Sequence, residues 1–309
     1  MGIKHSVASS DPGLIGATEW DADHGIDGPV PFPHVAAPAS PPADHVSLFG
    51  RRIGGRIMPA FIGPSGLDSA LQPLLARNKI AWANPNGNST AISLMGMAIS
   101  GTGTATAANV ATGNIHQAMR RLEYAVTTAA TSAVAAWRST AAQYFIGSSS
   151  APFGGFFFVC RFGRSRGAAA NATLRGFTGF GSITSAPADA DPSTTQTNAI
   201  GVGCDAGDTN YRIIHRNGTA AATKIDTGIP KAVADTSEMY ELAMFTSPTD
   251  NDVHVRFERL SDATVFEATL TTNLPTDTTL LAPKGYYSVG GTSSVIGYAL
   301  ASLYIETDY

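Results

Sequence analysis

A run of alternating apolar residues bounded by turn signals constrains the fold of this chain more than any other feature. The run lies between Asn198 and Gly228 and reads NAIGVGCDAGDTNYRIIHRNGTAAATKIDTG. Every second residue from Ile200 to Cys204 is apolar, and the glycines between them leave one strand face open to another layer or a ligand. Polar residues follow, and Asn217-Gly218 is typical of a further reversal. The segment therefore predicts two antiparallel strands, a polar turn and a third short strand.

The same period of two recurs along the later part of the chain. Alternating residues occur at 156–162, 240–245, 253–258 and 298–304. Turn chemistry separates these runs, and no helices alternate with the strands, so we predict a mainly β chain that folds as an antiparallel β-sandwich. The last run, Tyr298 to Tyr304, is apolar on both faces and is therefore expected to be a central strand.

Residues 114–146 are consistent with two interpretations. Apolar residues at four-three spacing, from Ile115 through Met119 and Leu122 to Val126, would suit a helix or a trimeric coiled coil. The threonines around residues 127–131 favour strands instead. The strand interpretation places two strands near 119–126 and 136–146, joined by a loop of Thr and Ala.

Residues 1–90 differ from the remainder, and we predict the sandwich over residues 91–309. Recurrent Pro and Gly in the first part exclude a long regular element, so this segment is expected to be extended. It also carries many large apolar residues, which predicts that it becomes ordered against other copies of the chain or another protein. Within it, the leucines between Ser65 and Arg77 would share one face of a short helix.

Composition narrows the function classes. Charged residues make up 14% of the chain and the formal net charge is −4, without a cluster of Lys and Arg interleaved with aromatics, so we expect no nucleic-acid binding. No apolar run suits a signal peptide or a membrane span, which predicts a soluble protein made in a cytoplasm, without membrane insertion. Cys160 and Cys204 lie in alternating apolar runs and are expected to be buried thiols, with a disulfide as the alternative.

Motifs for catalysis are missing from the sequence. The seven histidines show no paired metal-ligand spacing, and no nucleophile elbow or phosphate loop occurs, so we expect no enzyme and no cofactor. A glycosidase would need only two carboxylates, and six acids in predicted loops could supply them. They are also common turn formers. The six are Asp189, Asp191, Asp205, Asp208, Asp250 and Asp252.

Four stretches of the chain resemble proteins of tailed bacteriophages. GLIGATEWDADHGIDG is similar to a motif, Gly-Ala-Thr-Glu-Trp-Asn-x-x-His, found near the N-terminus of many phage structural proteins, with Asp21 in place of the usual Asn. Three later runs resemble segments of phage tail fibre and minor tail proteins. They are RIMPAFIGPSGLDSALQPLLARNKIAWANPNGN, GFFFVCRFG and the run from Asn198 to Gly228 described above.

The resemblance implies a virion protein of the phage tail that forms a homotrimer. Its first ninety residues would contact other tail or baseplate proteins, and its C-terminal domain, a concanavalin-type or lectin-like sandwich, would face the host. We therefore expect a tail fibre or tail-tip adhesin that binds a host surface glycan, a pilus or an outer-membrane protein. Two alternatives remain open, a purely structural baseplate or capsid-decoration protein and a glycan-cleaving tail enzyme.

Loops of a sandwich commonly carry its ligand contacts, and one turn combines polar and aromatic residues next to the glycine-rich strand. The receptor-binding residues expected there are Asp205, Asp208, Asn210 and Tyr211. The alternative for Asp205, Asp208 and Asn210 is a calcium site. Tyr211, Tyr286 and Tyr287 are candidates for stacking on sugar rings, although half-buried strand tyrosines are common.

Overall fold

Two antiparallel sheets packed face to face form the body of the molecule. The computed structural model describes residues 31–36, 38–63, 68–70, 79–151, 153–167, 173–231 and 237–307. In this part of the chain, sheets of nine and seven strands enclose one large apolar core, and a third sheet of three strands lies outside it. The antiparallel β-sandwich predicted from the sequence is confirmed.

Along the chain, groups of one to four consecutive strands alternate between the two large sheets. The small sheet has the order β1 (Ser47–Ile53), β2 (Arg56–Ile62) and β3 (Asp68–Ala70). The seven-stranded sheet has the order β14 (Thr223–Pro230), β13 (Asn210–Arg216), β12 (Ala199–Cys204), β11 (Arg175–Gly181), β18 (Ala282–Ser288), β9 (Val134–Ser139) and β6 (Ile99–Thr102). The nine-stranded sheet has the order β17 (Thr264–Leu270), β16 (Val253–Arg259), β15 (Tyr240–Thr246), β10 (Phe156–Arg166), β19 (Ser294–Thr307), β4 (Lys79–Pro85) and β5 (Ile92–Met95), with β8 (Leu122–Ala130) beside β19 and β7 (Thr104–Ala107) beside β8.

Aromatic side chains from both sheets fill the space between them. Phe162 of β10 stacks on Tyr298 of β19 with ring centroids 5.7 Å apart. Trp137 of β9 meets the edge of Tyr298 from the opposite sheet at 6.5 Å. All three rings are less than 2% exposed, so the apolar face of each alternating run is the face that packs in the core.

Strand β19 is central, as its two apolar faces predict. It pairs with β10 along one edge and with β4 and β8 along the other. Cys160 of β10 and Cys204 of β12 are both buried and free, which confirms the expectation of thiols rather than a disulfide.

The two interpretations of residues 114–146 are resolved in favour of strands. Only one helical turn, α1 (Ile115–Ala118), forms there, and the side chain of Asn114 caps it by accepting a hydrogen bond from the Gln117 amide at 2.9 Å. Strands β8 and β9 follow. The sandwich needs these residues to bury alternate side chains, and that requirement overrides the helical spacing.

Two details of the N-terminal segment differ from expectation. Strand β4 pairs with β19, so the nine-stranded sheet begins at residue 79 rather than near residue 91. Asp68–Ala70 form strand β3 beside β2 instead of part of a helix, because a sheet edge is available there. The remainder of the predicted helix at 65–77 lies outside the described residues. An association with other copies or another protein stays a prediction.

The tip of the β1–β2 hairpin rests on the outer face of the nine-stranded sheet. Arg56 pairs with Glu306 at 3.0 Å, and its guanidinium lies 5.1 Å from the centre of the Phe157 ring. Gly55 has a φ of +85°, and a Cβ there would stand 2.4 Å from the imidazole of His254. This close approach requires glycine at the tip. The hairpin therefore covers part of this sheet face.

The chain itself covers the outer face of the seven-stranded sheet. The loop between β11 and β12, which includes the single turn α2 (Pro192–Thr195), crosses it over a second apolar cluster that contains Phe177 and Tyr286. A Cβ on Gly201 would lie 2.8 Å from the Phe177 ring. The bare strand face predicted to admit another layer or a ligand is thus filled by a neighbouring side chain.

A buried lysine beneath this loop should make stability depend on pH. The Lys284 ammonium donates hydrogen bonds to the carbonyl oxygen of Ile183 and the side-chain oxygen of Gln196. Burial, aided by the charge of Arg138, lowers the pKa of Lys284 from 10.5 to about 8. The unfolded chain keeps this proton up to a higher pH than the folded chain does, so the free energy of unfolding should rise between about pH 8 and 10. The expected gain is at most about 3 kcal/mol.

Denaturant titrations at pH 7.5, 8.5 and 9.5 measure this gain. The Lys284→Met variant has no ammonium to neutralise and should lose the rise while keeping the pH dependence of all other groups. Equal pH profiles for the two proteins would show that the Lys284 proton is not lost in this range.

Candidate functional site

The polar turn predicted to bind a receptor is occupied by its own hydrogen bonds. One carboxylate oxygen of Asp205 accepts from the Ser193 amide at 3.1 Å, and the other accepts from the Ser193 hydroxyl at 2.6 Å. Asp208 accepts from the Asp205 amide at 2.8 Å, and Asn210 donates to Asp226 at 3.0 Å. These side chains are committed to holding the loop, so they present few free groups to a partner.

The tyrosine of this turn lies in the core. Tyr211 is 2% exposed, its hydroxyl is 2.8 Å from that of Tyr287, and its ring meets the edge of Tyr240 at 5.0 Å. Tyr286 and Tyr287 are each 1% exposed. The expectation that these rings stack on sugars is wrong, and Tyr211 cannot contact a receptor, because its strand turns this face towards the opposite sheet.

Two lysine ammonium groups occupy the positions where a cation would be expected. Lys224 lies 2.6 Å from Asp205 and 2.7 Å from Asp208. Burial alone would lower the pKa of Lys224, but its hydrogen bonds and charge interactions with the two aspartates raise it. Lys231 is 3% exposed and donates to the carbonyl oxygens of Leu174, Asp205 and Ala206. In the part of the chain that the structure describes, no group of three or more His, Cys, Asp or Glu could hold a metal ion.

The remaining loop acids do not form a separate pair in a cleft. Asp189 and Asp191 both bind Arg175, at 3.0 and 2.7 Å. Asp250 and Asp252 lie in the turn between β15 and β16, and Asp250 accepts a hydrogen bond from the Asp252 amide at 3.2 Å. Ion pairs with Arg175 explain the first two acids, and turn formation explains the last two.

A polar cavity lies instead between the β1–β2 hairpin and the outer face of the nine-stranded sheet. Its volume is about 480 Å³. We call it the junction cleft because the N-terminal segment and the sandwich meet there. The hairpin side contributes Arg51 and Arg52, and His34 lies beside them. The sheet contributes charged side chains from four adjacent strands, namely Arg161, Glu241, Arg256, Glu258 and Glu267.

Pairing register explains why these charges meet. Arg161 stands opposite Glu241, and Glu241 stands opposite Glu258, so one row crosses β10, β15 and β16. Arg256 stands opposite Glu267 in the next row. Residues with this parity face outward because the alternate positions pack in the core. The alternation that builds the core therefore also builds the floor of the cleft.

The floor alternates guanidinium and carboxylate groups. Arg161 contacts Glu241 at 2.7 Å, and Arg256 contacts Glu258 at 2.5 Å and Glu241 at 3.8 Å. The Arg161 side chain is 47% exposed, which leaves donor groups open to the cleft. Such a surface offers charged donors and acceptors side by side and can form paired hydrogen bonds with neighbouring hydroxyl groups.

The sequence pattern predicts one side of the junction cleft, the face of the sheet, but not the hairpin side. The alternation of His254, Arg256 and Glu258 with apolar residues predicts that these three side chains lie on a solvent-facing side of the strand. The structure places them on that side. The position of the β1–β2 hairpin over this face was not predictable, because nothing in residues 47–62 identifies which surface the hairpin contacts. The two glycines at its tip, Gly54 and Gly55, are the only local signal of a close approach in that segment.

Comparisons with known proteins concern the fold. No protein-family model matches the sequence, and no curated protein matches it either. Solved structures with a similar fold include a protein of unknown function from Shewanella oneidensis MR-1, with 14% identity over 74% of this chain and 86% of that chain and a TM-score of 0.48. Lectin I from Ulex europaeus, solved with the methyl glycoside of α-L-fucose, has 13% identity over 75% of this chain and 99% of that chain, with a TM-score of 0.46.

A third similar structure is a carbohydrate esterase from the Shiga toxin-encoding bacteriophage phi24B. It shares 14% identity over 68% of this chain and 90% of that chain, with a TM-score of 0.34. At these identities the likeness concerns the sandwich alone. The helices α1 and α2 of the described residues are single turns of four residues, and neither could span a membrane.

Proposed function

We propose that this chain is a tail fibre or tail-tip adhesin of a tailed bacteriophage and that it binds host surface glycan through the junction cleft. The N-terminal motif and the later runs that resemble tail proteins support the phage assignment. The observation that carries the glycan assignment is the cleft floor, where Arg161, Glu241, Arg256 and Glu258, from two neighbouring rows of the sheet, form a continuous network of charged donors and acceptors.

Sugar hydroxyl groups suit this floor. A hydroxyl donates one hydrogen bond and accepts others, so a pair of adjacent hydroxyls can bridge a guanidinium and a carboxylate at the same time. The floor residues lie on paired strands rather than on a loop, which keeps the donor and acceptor spacing fixed. A rigid polar surface binds with a small loss of conformational entropy.

The proposed role is binding without cleavage. Arg161 donates to Glu241 and Arg256 donates to Glu258, so these carboxylates of the cleft are engaged as hydrogen-bond acceptors rather than left free for acid–base catalysis. Incubation with host capsule or lipopolysaccharide should therefore release no oligosaccharide. Release of reducing ends that disappears in a Glu258→Gln variant would overturn this assignment and favour a tail enzyme.

Removing two arginines from the cleft should weaken binding to cells. Arg52 is exposed at the cleft rim and Arg161 is half exposed on its floor, so the Arg52→Ala/Arg161→Ala variant should fold normally. We expect its affinity for a bound strain, measured by flow cytometry over a panel of bacterial strains, to fall at least tenfold, or about 1.4 kcal/mol.

The matched control removes the same charge elsewhere. Arg120 and Arg216 lie outside the cleft, so the Arg120→Ala/Arg216→Ala variant should bind as the parent does. Equal losses in both variants would indicate a nonspecific charge effect. Parental binding by the cleft variant would place recognition on another surface.

A further inference from the structure

A strip of half-buried aromatic and neutral polar side chains continues the cleft floor across the sheet. Trp82 of β4 stands directly opposite Tyr304 of β19, and both side chains face outward because their neighbours Ala81, Ala83 and Leu303 pack in the core. In the adjoining row, Ser302 stands directly opposite Arg161. We call Trp82, Asn84, Ser302 and Tyr304 the aromatic strip.

Register places the polar members of the strip in one line with the cleft floor, and Trp82 and Tyr304 lie in the row beside it. The row runs from Glu258 through Glu241 and Arg161 to Ser302. Asn84, on the outer face of β4 two residues beyond Trp82, extends it. From β16 to β4 the row spans four strand spacings, or ~19 Å at roughly 4.8 Å per spacing. This length exceeds what one or two sugar rings would cover.

The chemistry of the strip differs from that of the cleft. Trp82 and Tyr304 are each partly exposed, and Phe157 holds the Tyr304 ring from the side with centroids 6.4 Å apart. The Tyr304 hydroxyl donates to Glu306 at 2.9 Å, which fixes the orientation of the ring. A fixed aromatic surface beside an amide and a hydroxyl can stack on the C–H face of a sugar while hydrogen bonding its edge.

We propose that the aromatic strip is a second saccharide subsite and that the occupant of the whole row is an extended polysaccharide running across the strands. This inference rests on the proposed function of the junction cleft, which supplies the first subsite. The charged floor binds hydroxyl-rich or acidic sugars at one end, and the indole–phenol pair stacks on sugar rings at the other. Affinity then grows with the number of sugar residues until the row is filled.

The test uses surface polysaccharide extracted from a strain that the full-length protein binds, cut by mild acid and separated into fractions from disaccharide to octasaccharide. Titration calorimetry on the full-length protein should give at least about tenfold tighter binding for the octasaccharide than for the disaccharide. In the Trp82→Leu and the Asn84→Ala/Ser302→Ala variants that ratio should fall to about threefold or less. The Thr104→Ala/Thr106→Ala variant, on the exposed strand β7, is the matched control and should keep it.

Tryptophan fluorescence supplies a second reading. Octasaccharide should change the emission of the parent, and the change should be absent from Trp82→Phe, which keeps an aromatic ring and is expected to fold. Two results would overturn the second subsite: affinity that is equal for all fragment lengths, or affinity that is unaffected in all strip variants. If binding still depended on the cleft arginines, the proposed function would remain. Failure of the protein to bind any strain would instead remove the proposed function itself.

Discussion

Deleting residues 298–309 should leave a chain that does not fold. This deletion removes most of β19, which pairs with β10, β4 and β8. It also removes Tyr298, Leu300 and Leu303 from the core, and each of these residues is 0% exposed. The loss exceeds the total stability of about 5–15 kcal/mol that a domain possesses, so we expect no soluble product.

Soluble expression of two matched deletion variants measures the outcome. A control that ends at residue 307 keeps all of β19 and should give soluble protein with a cooperative thermal transition. A soluble, cooperatively folding product from the longer deletion would show that β19 is not the central strand of the sheet.

The Lys231→Met variant should be destabilised by about 3 kcal/mol. The ammonium of Lys231 joins its own segment to two others through the carbonyl oxygens of Leu174 at 3.0 Å, Asp205 at 2.7 Å and Ala206 at 2.9 Å. Burial lowers the pKa of Lys231, but these carbonyl oxygens compensate a buried cation. Methionine fills a similar volume and donates no hydrogen bond, so all three carbonyl oxygens lose their charged donor. The Asp205 oxygen keeps only the Asp208 amide, and the Leu174 oxygen keeps only the weak donor of the Cys204 thiol.

Lys224→Met is the matched control for this experiment. Lys224 contacts Asp205 and Asp208 in the same cluster, but its side chain is 28% exposed, so water can replace it and the expected loss is about 1 kcal/mol. Chemical denaturation compares the two variants. Equal losses would contradict the view that Lys231 stabilises the loops as a buried cation.

Strand alternation made much of the fold predictable. In β10, the run from Phe156 to Phe162 shows both the strand and the identity of its buried face. Residues 114–146 were ambiguous because their spacing fits a helix, and only the need to bury β8 and β9 between neighbouring strands decides between the two interpretations. Pairing partners far apart in sequence, such as β4 and β19, carry no local signal.

The predicted site illustrates the same limit. The sequence indicates that Tyr211 shares a strand face with Ile213, but it does not indicate whether that face meets the core or the solvent. The polar residues of the turn were located correctly. Their partners, Ser193 of α2 and Lys224 of β14, come from other elements that only the folded chain brings together.

The central claim is that the outer face of the nine-stranded sheet, together with the β1–β2 hairpin, recognises the host glycan. Hydrogen–deuterium exchange of the full-length protein, with and without the octasaccharide fraction from a bound strain, tests this claim most directly. The account predicts slower exchange in β1, β15 and β16 on adding the glycan, with no change in the loop from Asp205 to Thr209. Protection confined to that loop and to the neighbouring turn near Gly290, with none in β15 and β16, would contradict it.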